Sequence, residues 1–158
     1  MSKHQTTILI AIYADQASAE ADWEELEKTA KSGHYLSDAA VVTKDAEGNP
    51  KIADRQSRHG WGKGAIVGAV VGIIFPPSIL AGAAVGAVAG GGVARLHRAL
   101  SREKVKNLGE VFDQGQAAVI AVVDVGSVDA FKGALGKATA VHTEETGLAD
   151  DELRQAAS

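Results

Sequence analysis

The residues able to do chemistry are few and scattered. Five histidines stand at His4, His34, His59, His97 and His142, with no i, i+4 pair and no cysteine beside them, so the spacing of a zinc or iron site is missing. The absence of cysteine also removes disulfides and thiol catalysis, a composition suited to a reducing compartment. Gly60, Gly62, Gly64 and Gly68 bring a phosphate-binding loop to mind. However, Gly64 follows Lys63 where a serine or threonine would hold magnesium, and no acidic residue follows at the distance a ribose needs. Arg58, His59 and Lys63 in that glycine-rich turn would still attract an anion or a lipid headgroup at a helix N-terminus. Asp124 closes an apolar run, where its expected role is to cap or turn the chain. No catalytic residues, no metal and no cofactor are expected, and the chain does not read as an enzyme.

The more informative spacing is that of the glycines. Gly64 to Ala94 is 31 residues without a charge, divided at Phe75-Pro76-Pro77-Ser78, which a helix cannot pass unbroken. The first arm carries Gly64, Gly68 and Gly72 and the second Gly82, Gly86 and Gly90, each four apart. Residues at that spacing stack on one helix face. Each arm therefore presents a strip without side chains, along which backbones can approach closely. These six glycines are the expected helix-packing interface, and Phe75, Pro76 and Pro77 the hairpin tip.

Charge is arranged around this segment. Net charge is −4, but Lys51 to Lys63 carries +3 and Arg95 to Lys106 carries +4, leaving −11 for the rest. An acidic remainder with Trp61 as the one aromatic among the basic flanks argues against nucleic-acid binding. The arms would be about 18 and 25 Å long at the α-helical rise, whereas a bilayer core is roughly 30 Å thick. Two readings stand. In one, the hairpin is buried between copies of a soluble homo-oligomer. In the other it dips into the inner leaflet, with Arg58, His59, Lys63, Arg95 and Arg98 at the headgroups. Trp61 fits either, as an interfacial anchor or as a hairpin-to-core contact.

The elements around the insertion follow from periodicity. Thr6 to Tyr13 is β-branched and apolar on successive positions, the pattern of a central strand. Asp15 caps a helix to about Ser32 whose stripe is Ala19, Trp23, Leu26 and Ala30, with Glu20, Asp22, Glu24, Glu25 and Lys28 elsewhere and Gly33 at the C′ position. Ala39–Thr43 and a more polar Lys51–Gln56 form strands joined by a turn at Asp45 to Pro50, the second suited to a sheet edge. Ser101 opens a helix with stripe Val105, Leu108 and Phe112. Ala117–Val125 is the strongest strand and reads as buried on both faces. Ser127 opens a short helix with Val128, Phe131 and Leu135; a strand at Ala138–Thr143 and a helix at Asp150–Ala157 close the chain. The class is α+β. Residues 1–58 and 99–158 form a ferredoxin-like βαββαβ core with a C-terminal α-β-α extension, and residues 59–98 form the inserted hairpin. Ile8 to Ile12 is too short for a signal-peptide core, so the expected location is the cytoplasm, at most against the inner face of the membrane.

Ile8-Leu-Ile-Ala-Ile-Tyr13, Lys63-Gly64-Ala65 opening a hairpin broken at Phe75-Pro76-Pro77, Gly115-Gln-Ala-Ala-Val-Ile120, Thr143-Glu-Glu-Thr146 and Asp151-Glu-Leu-Arg154 together resemble a family of bacterial proteins of unknown function. Its members are commonly labelled predicted membrane proteins. The resemblance spans nearly the whole chain and implies a ferredoxin-like core with an inserted helical hairpin. It transfers no catalytic residues. The expected function is that of a non-catalytic interaction or scaffold protein, self-associating through its hairpin. A membrane-associated protein is the first alternative, a ferredoxin-like binder of a small ligand the second.

Overall fold

A computed structural model of the chain describes residues 5–44, 50–57 and 115–149, together with 103, 106 and 110. Residues 5–44, 50–57 and 115–149 form five strands and two helices: β1 (Gln5–Tyr13), α1 (Gln16–Lys31), β2 (Leu36–Lys44), β3 (Pro50–Ser57), β4 (Ala117–Asp124), α2 (Val128–Ala134) and β5 (Ala140–Ala149), with a 3-10 turn at Val125–Ser127 ahead of α2. The glycine-rich insertion expected at 59–98, with its domain boundary, its hairpin tip and the flanking Arg58, His59, Lys63, Arg95 and Arg98, lies outside the described residues. So do the turn at 45–49 and the C-terminal helix at 150–157. Of the helix expected from Ser101, Glu103, Lys106 and Glu110 are helical and exposed, which sets them off the apolar stripe of Val105, Leu108 and Phe112.

The strands make one sheet in the order β3-β2-β4-β1-β5, each neighbouring pair antiparallel. β1 and β2 therefore run parallel to each other with β4 between them, and β4 and β5 run parallel with β1 between them. Two β-α-β units interleave, and α1 and α2, which connect them, pack together on one face.

Composition explains the placement. β1 and β4 carry no charge before Asp124, and from Thr6 to Tyr13 and Ala117 to Val123 every residue is buried. On the helix side, Leu9, Ala11, Tyr13, Ala117, Val119, Ala121 and Val123 meet Trp23 and Leu26 of α1 and Phe131 of α2. On the opposite side Ile8, Ile10, Ile12, Ala40, Val42, Ala118, Ile120 and Val122 are at most 1% exposed, although α1 and α2 both lie on the first. A strand without polar residues on either face belongs in the middle of a sheet covered twice.

The structure corrects the expected role of the last strand. The sequence suggests that Lys51–Gln56 and Ala117–Val125 complete the core and that the strand near 140 belongs to an extension. β3 is the outer edge beyond β2, as its polarity suggests, but β5 belongs to the same sheet and pairs with β1 along most of its length. β5 also runs past Thr143 to Ala149, through a register shift opposite Gln5 and Thr7 and a left-handed Gly147 at φ 74°. β2 likewise begins earlier than its apolar run, at Leu36.

Ends are held locally. Asp15 accepts from Ser18 N at 2.8 Å and caps α1; Gly33 terminates it at φ 109°, a conformation glycine adopts without strain. Asp124 accepts from Gly126 N at 3.0 Å, so its carboxylate does cap the turn after β4. Ser127 stands before α2 without a side-chain capping bond. At the other end of β4, a Cβ on Gly115 would collide with Ile12 Cγ2 and come within 2.7 Å of the Tyr13 carbonyl oxygen.

Two stability measurements follow. Leu9→Ala and Ile10→Ala remove side chains from opposite faces of β1, and each should cost about 2–5 kcal/mol in urea unfolding. A negligible cost for Ile10→Ala would mean the second face is not packed. Gly115→Ala should lower the unfolding midpoint by the equivalent of about 1–3 kcal/mol, because backbone has to move to admit the methyl group; an unchanged midpoint would contradict the close approach.

Candidate functional site

A buried polar constellation sits where the C-terminal end of β1 meets α1. Tyr13 points to the helix side of the sheet, and its hydroxyl donates to Asp22 Oδ2 at 2.8 Å. The same oxygen accepts from Lys137 N at 2.9 Å, in the turn after α2. Asp22 is 2% exposed and Tyr13 fully buried. Sequence periodicity puts Asp22 off the apolar stripe, among the solvated acids of α1; the structure buries it beside Trp23. The signal was available in retrospect, since a tyrosine ending a central strand brings a hydroxyl that requires a buried acceptor.

The carboxylate thus fastens a strand, a helix and a turn. Burial, and then the hydrogen bond to Asp22 and its negative charge, push the Tyr13 hydroxyl far above the usual tyrosine range. It is thereby held in its protonated form, donating to Asp22. Its chemistry is positional.

Other polar groups gather at the opposite end of the sheet. Thr6 Oγ1 and Thr146 Oγ1 lie 2.6 Å apart, and Thr146 Oγ1 donates to the Thr6 carbonyl at 3.2 Å. Thr7 Oγ1 is buried without a hydrogen-bond partner among the described residues. Along the β5 edge, His142 Nε2 approaches Glu144 Oε2 at 3.2 Å, with side chains 29% and 16% exposed. His34 meets the Phe131 ring edge-on, the centroids 6.2 Å apart. Among the described residues no group of three or more His, Cys, Asp or Glu is arranged to hold a metal ion.

The sequence-derived interface residues Gly64, Gly68, Gly72, Gly82, Gly86 and Gly90 lie outside the described residues. The same holds for Phe75, Pro76 and Pro77 at the tip and for Arg58, His59, Lys63, Arg95 and Arg98 at the flanks. No described helix is long and apolar enough to cross a membrane.

Comparison with known proteins bears on the same segment. A family model described as "Protein of unknown function (DUF1269)" matches residues 62–157, more than half of the chain. The chain belongs to this family. The DUF1269 span starts within the glycine-rich stretch of the sequence and takes in β4, α2 and β5, while β1, α1, β2 and β3 precede it. No curated protein and no solved structure matches the chain.

The tyrosine–aspartate pair gives a pH prediction. A hydroxyl whose pKa is raised on folding stabilises the native state fully below the unfolded tyrosine pKa of about 10, and that contribution is lost as pH rises above it. Urea midpoints should therefore fall above about pH 10 more steeply in the native protein than in Tyr13→Phe. Parallel pH profiles would show that the buried hydroxyl is not what titrates.

Proposed function

We propose that this protein is a non-catalytic interaction protein, in which a ferredoxin-like core displays a glycine-zipper hairpin that associates with the hairpins of other copies. The observation that carries the proposal is the pair of matched triplets, Gly64/Gly68/Gly72 and Gly82/Gly86/Gly90, either side of Pro76-Pro77 in a charge-free stretch. In helical arms these would form two strips along which backbones meet closely. The described surface offers no competing apolar patch: Val125 is the one exposed large hydrophobic residue among the described residues, at 43%. Isolated exposed residues of that kind are ordinary, whereas association surfaces are contiguous.

The core reading rests on the sheet. β1-α1-β2 and β4-α2-β5 interleave in the order β2-β4-β1-β5, the split β-α-β arrangement of ferredoxin-like folds. β3 is then an added edge strand, and the glycine-rich segment an insertion between β3 and β4. Gly68→Leu combined with Gly86→Leu should block the close approach and reduce the assembly to monomers in light scattering. An unchanged molar mass, with the fold intact by circular dichroism, would sink the proposal.

The charge bracket favours a second reading. The +3 and +4 flanks would sit at anionic headgroups if the hairpin dipped into the inner leaflet. Lys63→Glu, Arg95→Glu and Arg98→Glu together should then abolish sedimentation with phosphatidylserine-containing liposomes. Native protein that fails to sediment with them would exclude this reading.

A further inference from the structure

We draw no further inference here: the strongest candidate, the sheet face opposite the two helices, with buried Asp38 on β2 and the His142–Glu144 pair at its β5 edge, carries nothing because no described residue shows what covers it.

Discussion

The structure depends on the pairing of β1 with β4. Eight consecutive residue pairs, Thr6 with Asp124 through Tyr13 with Ala117, join two strands that have almost no polar side chains to offer solvent. Burying such a pair on one face alone would leave a row of Ile and Val in water, at roughly 25 cal/mol for each Å² of apolar surface left exposed. The pair must therefore occupy the middle of a sheet with cover on both sides. More polar segments are displaced outward: β3 to one edge and β5, with His142, Glu144 and Glu145, to the other. Charged residues suit those edges because they discourage pairing with other chains.

That constraint also explains how much of the fold was legible. β1, α1 and β4 were readable because each has a strong local signature: uninterrupted β-branched residues, a helical stripe behind Asp15, and a second apolar run. The edge position of β3 followed from its polarity. The early start of β2 was hidden because Ser37 and Asp38 look like loop residues, yet both are fully buried. The extension of β5 through Glu144-Glu-Thr-Gly147 was hidden for a similar reason. Its strand character comes from pairing with β1, from Ile8 with Glu144 to Gln5 with Ala149, a contact between distant parts of the chain that no local window contains. Strand order belongs to the same class, being decided by which strands can tolerate burial twice.

The polar interior was less legible than the apolar one. Asp22 belongs by type and spacing to the solvated face of α1, and only the Tyr13 hydroxyl and the Lys137 amide make its burial tolerable. A buried carboxylate with two donors costs far less than an unpaired one. The result is a fastening between β1, α1 and the turn after α2 rather than a reactive group. The features most suggestive of a biological role, the glycine triplets and the basic residues around them, lie in the sequence between β3 and β4. The described core contributes the sheet, in which Gly115, two residues ahead of β4, is pressed against Ile12 and Tyr13.

Amide hydrogen exchange under native conditions tests the central role of the β1–β4 pair most directly. Backbone amides of Ile8 to Ile12 and of Ala118 to Val122 should exchange last and at a common rate, through global unfolding, while those of β3 exchange earlier through local opening. Exchange of β1 or β4 as fast as that of β3 would contradict the account, because the sheet would then be held together elsewhere.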